Sequence, residues 1–294
     1  MAPSTKLEIS QQRYDEIKNA VKILAAAFAL EETYDLLVGN YIEFETSALG
    51  LAAKSMMQPP HHYDEMFEMN AQMNRRVVNL LTTAKMFVDQ LQQRVGACSG
   101  DKAAAKAETS KHYDSLFEYR FMEALRNHVQ HSGSAVHSLS FGGRWWPPRK
   151  KEKMVFATEV RAQRRFLELD PSFKKAVLQE CPESVDLLDA ARKYLAALSQ
   201  VHQHARDQID TQVSNARAAI EDAITEYASH ESDTLGLTAY SGIDSSAEKI
   251  AVFLDWDNVR LKLAARNLQN PTLARRAVSS TPDWSINSDG ESVR

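Results

Sequence analysis

Apolar residues recur along this chain at alternating steps of three and four, the spacing that lines one face of an α-helix. Tyr14, Ile17, Val21, Leu24 and Phe28 form a first stripe, with Ser10 as its N-cap, and Tyr34, Leu37, Tyr41, Phe44 and Ala48 form a second. The pattern continues or resumes after a short break near Glu31 and Glu32. Pro59-Pro60 ends it, because consecutive prolines remove donors and force extended backbone. From Tyr63 to Val95 there is neither Gly nor Pro, and Met73, Val77, Leu80, Ala84, Phe87 and Leu91 keep the rhythm. This predicts a long helix closed by the segment Gly96 to Gly100. A further helix is expected from Ala103 or Thr109 to His131, with Gly133 at the left-handed position that follows a helix C-terminus.

The rhythm then changes. Ala135, His137, Leu139 and Phe141 alternate with Val136, Ser138 and Ser140, and Met154 to Thr158 is rich in strand formers, so a small β-hairpin with a basic, aromatic tip is expected. Asp170-Pro171 reads as a helix start. Between Ser184 and Ser229 no Gly or Pro occurs, and Leu188, Leu195, Leu198, Ala205, Ile209, Ala216, Ile220 and Tyr227 carry a helical stripe. If continuous, that helix is about 70 Å long and must bend or pack on a partner. Ser245 and Glu248 form a capping box ahead of Ile250, Leu254, Leu261 and Leu268, a last helix that ends at Asn270-Pro271. The implied fold class is all-α, an antiparallel bundle of long helices with a small inserted β-hairpin. Its expected parts are a helical bundle over 1–132, a hairpin insertion over 133–165, long C-terminal helices over 166–278 and a disordered tail over 279–294.

Composition narrows the class. Ten Gly and nine Pro in 294 residues are too few for the tight turns of an all-β fold. A net charge of −4 argues against a generally basic nucleic-acid binder and leaves room for a local basic patch. Cys98 and Cys181 stand alone, which suggests neither a disulfide framework nor a zinc site and fits a reducing interior. The longest apolar run, Ile23 to Leu30, is far short of the roughly 20 residues of a membrane span. The chain is read as a soluble cytoplasmic protein without a membrane partner.

One segment concentrates chemistry: Glu118-Tyr-Arg-Phe-Met-Glu-Ala-Leu-Arg-Asn-His-Val-Gln-His-Ser-Gly133. Arg126, Asn127 and His131 gather cationic and hydrogen-bonding groups in the last turns of a helix that is otherwise apolar at Phe117, Phe121, Leu125 and Val129. Arg126-Asn127 followed by His131 after four intervening residues resembles the signature of the HEPN superfamily, an Arg and a polar residue separated by four to six residues from a His within an all-α bundle. The resemblance implies a metal-independent endoribonuclease that needs no cofactor, acts on RNA as a homodimer, and serves as a toxin or defence effector with an antitoxin or other protein partner. It assigns catalysis to Arg126, His131 and Asn127. Glu123, three residues before Arg126, can pair with it as an ordinary surface contact or orient its guanidinium, and Gln130 is a further supporting candidate. In that chemistry His131 moves a proton and Arg126 holds the phosphate.

Helix geometry constrains the assignment. Arg126 and His131 are five residues apart, about 140° around an ideal helix, so they do not share a face. Either the last turn distorts or catalysis combines two chains, as the resemblance implies. The same residues can also simply cap carbonyls and complement the helix dipole. His128 falls on the Phe121/Leu125 face and reads as a packed core histidine.

Other features are weaker. Arg144, Trp145, Trp146, Arg149, Lys150 and Lys151 join cations to indoles and suit a phosphate backbone with stacked bases, a solubilised tip or a docking knob. His61-His62-Tyr-Asp64-Glu65 fits a helix start better than a metal site, and His202 reads as core or interface. The Met56, Met57, Met66, Met69 and Met73 cluster reads as adaptable packing. No phosphate loop or dinucleotide-binding turn is present. The competing function is a non-catalytic helical interaction or nucleotide-binding regulatory protein that assembles through its long helices.

Overall fold

The computed structural model describes residues 6–146, 153–231, 233–242, 247–270, 272–276 and 278. The class is all-α: eight helices and a small antiparallel hairpin are found among the described residues. In chain order the helices are α1 (Gln11–Met57), α2 (Tyr63–Ser99), α3 (Ala103–Ser115), α4 (Phe117–His131), α5 (Arg164–Leu167), α6 (Lys175–Glu180), α7 (Leu187–Ala228) and α8 (Asp255–Arg266). The strands are β1 (Ser138–Trp146), β2 (Lys153–Gln163), β3 (Ser184–Asp186), β4 (Thr238–Tyr240) and β5 (Lys249–Ala251). No helix among the described residues is long and apolar enough to cross a membrane.

The chain divides into two compact units, each of which takes part of α1, α2 and α7: described residues of 1–35, 87–108 and 201–269, and those of 36–86, 109–200 and 270–278. In the first unit the expected stripes are buried at Tyr14, Ile17, Leu24, Phe87, Leu91, Ala205, Ile209 and Ile220. In the second they are buried at Leu37, Phe44, Ala48, Met73, Val77, Leu80, Leu188, Leu195 and Leu198. Burial of a large apolar side chain stabilises by about 1.5–3 kcal/mol, so these faces hold the long helices where intrinsic propensity alone does not.

Several boundaries differ from expectation for identifiable reasons. Helix α1 runs unbroken through Glu31 and Glu32, because Glu31 is buried and paired with Arg206 rather than turned to solvent. Helix α2 continues to Ser99, and Gly100, at φ +79°, is the residue that stops it. The single helix expected up to His131 is broken at Leu116, whose extended φ and ψ of −121° and 117° separate α3 from α4. No Gly or Pro marks this break. Arg120 makes it favourable by donating from Nη1 to the α3 carbonyls of Tyr113 and Asp114, both at 2.8 Å.

The hairpin pairs Ser138 with Arg161 through to Trp146 with Lys153, and β3 adds to its other edge at Arg161, Ala162 and Gln163. Ser184 to Asp186 is therefore strand, not helix. Asp186 then caps α7 by accepting from the Leu188 and Asp189 amides, and α7 runs 42 residues, about 63 Å, to Ala228. Lys249 to Ala251 forms β5 against β4, so α8 starts later than the capping box suggests and ends at Arg266. Glu248 instead accepts from Lys18 and Tyr14, while Ser245 and the expected tail from Ser279 onward lie outside the described residues.

Candidate functional site

Helix α4 buries Tyr119, Phe121, Met122, Ala124, Leu125 and His128. The register leaves the polar positions of the last turns outside: Asn127, Gln130 and His131 are exposed and Arg126 is half-buried. Arg126 Nη1 donates to Asn127 Oδ1 at 3.1 Å, which ties the two neighbours together. The Nε of Arg126 is shielded from solvent without a hydrogen-bond partner. Because α4 stays helical to His131, Arg126 and His131 remain on different sides of it. Glu123 does not orient Arg126; it accepts from the Tyr194 hydroxyl at 2.5 Å.

The anchor of this helix end is His128. Its ring is almost fully buried, as its position on the apolar face suggests, and its Nδ1 lies 2.7 Å from Asp170 Oδ2. Asp170 is no helix N-cap: Ser172 donates from its amide (2.8 Å) and hydroxyl (2.6 Å) to Oδ1, closing a turn ahead of α6. Hydrogen bonds from Ser172 and His128 hold the Asp170 carboxyl well below the usual carboxylate range. An ionised carboxylate only accepts, so the proton between the two sits on His128 Nδ1.

Around this pair stand Phe173 and His137, with ring centroids 6.1 and 6.0 Å from that of His128. His137 Nδ1 accepts from the Gln163 amide at 3.1 Å and its ring stacks on Phe166. Burial, with the neighbouring His128, brings the His137 imidazole down to about 4. The segment after α4 is fixed by Asn74, whose Oδ1 accepts from the amides of Ala135 (2.9 Å) and Val136 (3.2 Å). Gly133 does not take the left-handed conformation; the Ser132 amide closes the helix on His128 O at 2.8 Å. Along the sequence Asp170 reads only as a helix start and His137 only as a strand position, and nothing marks Asn74, because their partners are distant in the chain.

Of the expected RNA-facing residues, Trp145 is exposed on β1 and Arg144 pairs with Glu159 at 3.0 Å. Trp146 lies opposite Lys153 in the ladder; Arg149, Lys150 and Lys151 lie outside the described residues. At the start of α2, Glu65 accepts from the His61 amide at 2.8 Å, and such backbone hydrogen bonds hold its carboxyl below the usual carboxylate range, as expected of a capping acid. No family model, curated protein or solved structure matches the chain.

Proposed function

We propose that the protein is a HEPN-type, metal-independent endoribonuclease of the cytoplasm, a toxin or defence effector that cleaves RNA as a homodimer. The observation that carries this reading is the end of α4. There Asn127 and His131 are exposed, Arg126 is joined to Asn127, and the intervening His128 is locked inward on Asp170. A helix end fixed in this way holds its outward groups in one geometry, which is what electrostatic and acid–base catalysis require.

Arg126 binds the scissile phosphate bidentately and offsets charge in the transition state. His131 moves a proton. The two point to different sides of α4, so a complete site takes Arg126 from one chain and His131 from another. The exposed Trp145 on β1 offers a base-stacking surface.

The test is cleavage of mixed RNA in EDTA by the wild type and by Arg126→Ala and His131→Ala. Wild type is expected to release cyclic-phosphate ends, and each folded variant to lose about 10²–10⁴-fold in rate. Intact RNA with wild type, or equal cleavage by both variants, overturns the reading.

A second reading is favoured by the α1–α2 turn, where Met56, Met57, Tyr63, Met66 and Phe67 are all at least half exposed. Clustered exposed apolar residues mark interaction surfaces. On this reading the chain is a helical assembly protein, and Met57→Ser with Phe67→Ser changes its mass in light scattering while RNA remains uncut.

A further inference from the structure

The buried His128–Asp170 pair presents its second ring nitrogen to the one position at the end of α4 that lacks a side chain. With the Nδ1 proton directed at Asp170, the other ring nitrogen, Nε2, makes no hydrogen bond among the described residues. A Cβ on Gly133 would lie 3.1 Å from that nitrogen and 3.4 Å from Cε1. Gly133 is exposed and its φ is not in the left-handed region. Backbone conformation therefore does not demand glycine there. A Cβ there would instead press on the edge of the imidazole that Asp170 holds in place.

His131 is three residues further on, and residues three apart are neighbours on a helix surface. The end of α4 thus carries two histidines three residues apart, one tethered to a buried carboxylate and one exposed to solvent. Attack by a ribose 2′-hydroxyl needs two proton transfers, one at the nucleophile and one at the leaving oxygen.

We propose that His128, oriented by Asp170, is a further catalytic residue and acts as the general base, with His131 as the general acid. This rests on the ribonuclease reading above and completes it. Nε2 of neutral His128 takes the 2′-hydroxyl proton, and the 2′-oxygen bonds to phosphorus. The bond from phosphorus to the 5′-oxygen breaks, and protonated His131 gives its proton to that oxygen. The products are a 2′,3′-cyclic phosphate and a 5′-hydroxyl, and no co-reactant is consumed.

Asp170 is the positioning residue. It fixes the tautomer and stabilises the imidazolium that forms, as a carboxylate behind a histidine does. The other titratable group facing the His128 ring is His137, which stays neutral near pH 7 and does not oppose that charge. Ser132 and Ser172 are the remaining polar neighbours of the carboxylate.

The experiment compares wild type, His131→Ala, His128→Asn and Gly133→Ala in RNA cleavage over pH 5 to 9, with RNA affinity and melting temperature measured alongside. His128→Asn keeps an amide donor for Asp170 and lacks Nε2. Gly133→Ala keeps every polar group and crowds that nitrogen. Both are expected to cleave at least about 100-fold more slowly with RNA affinity within about twofold of wild type. The acidic limb of the pH profile is expected to vanish in His128→Asn, and the basic limb in His131→Ala. If Gly133→Ala cleaves within about tenfold of wild type, or a folded His128→Asn retains the acidic limb, the base assignment is overturned while the ribonuclease reading stands on His131. Intact RNA with wild type overturns both. Gly133→Ala decides the matter alone if His128→Asn does not fold.

Discussion

Arg192 grips Glu45 side-on, with Nε 2.6 Å from Oε1 and Nη2 3.0 Å from Oε2, and both residues are almost wholly buried. The Tyr41 hydroxyl also donates to Glu45 Oε1 at 3.0 Å, and burial with this carboxylate pushes the phenol well above its ordinary value. Removing one member of such a pair strands a buried charge, which costs about 3–5 kcal/mol. Arg192→Met and Glu45→Leu are each expected to lower the urea midpoint by a corresponding amount. The double variant is expected to be destabilised by clearly less than their sum, since no charge is left unpaired. Additive losses would show that the pair is not coupled.

A second buried pair sets a pH dependence. Arg206 donates to Glu31 from Nε at 2.7 Å and from Nη2 at 2.6 Å. Burial opposes the charge on Glu31, yet Arg206, with His202 close by, outweighs it and holds the carboxyl down at about 2. A depressed acid contributes stability above its unfolded value, near 4.5, that is lost as pH falls through its folded value. Integrated over that shift this is about 3 kcal/mol. His202, stacked on Tyr34 with centroids 3.8 Å apart, is itself lowered by burial, so its contribution begins to fade below about pH 6.5. Urea unfolding between pH 7 and 3 is expected to show a fall in both ranges for wild type, with only the upper range kept in Glu31→Gln. A Glu31→Gln curve parallel to wild type below pH 4.5 would remove Glu31 from this account.

His137 is expected to titrate near pH 4, because burial disfavours its charge and the Gln163 amide already occupies Nδ1. Its folded value lies below the unfolded one, so the stability it contributes is complete above about pH 6.5 and declines towards pH 4. Nitrogen-15 NMR of the ring should find the Nε2–H tautomer at pH 7. A midpoint near 6.5 would contradict the buried environment.

The periodic stripes of α1, α2 and α7 were legible because each residue on them answers only to the helix repeat and to burial. The break at Leu116 was not, since it depends on the Arg120 side chain reaching back to two carbonyls rather than on Gly or Pro. Asp170 shows both sides of the matter. Its capping character was visible, but its Oδ1 is taken by Ser172 and its Oδ2 by His128, 42 residues away, so it closes a turn and not a helix. The Arg126 and His131 spacing could be read along the chain, whereas the carboxylate behind His128 required the folded second unit.

If each active site combines Arg126 of one chain with His131 of another, two dead variants should rescue each other. Arg126→Ala and His131→Ala, unfolded or dissociated together at equal concentration and allowed to re-form dimers, give about half mixed dimers by random pairing. Each mixed dimer holds one intact site of two. About a quarter of wild-type cleavage is therefore expected, against none for either variant alone. Absence of rescue, with mixed dimers demonstrated by tagged co-purification, would place both residues in one chain's site.

Trp145 provides the most direct test of the hairpin as an RNA-contacting element. Its side chain is 45% exposed, and its backbone partner is Met154, so truncation leaves the ladder intact. A base stacked on an aromatic ring contributes about 1–3 kcal/mol. In a His131→Ala background, which on the proposed ribonuclease reading leaves RNA intact, Trp145→Ala is expected to weaken binding of a fluorescent single strand by about 5- to 150-fold. The melting temperature should stay within about two degrees, as for an exposed substitution. The loss should persist at raised salt, because stacking, unlike phosphate contact, releases no counterions. A loss that disappears as salt rises would instead assign the hairpin's contribution to its cations alone.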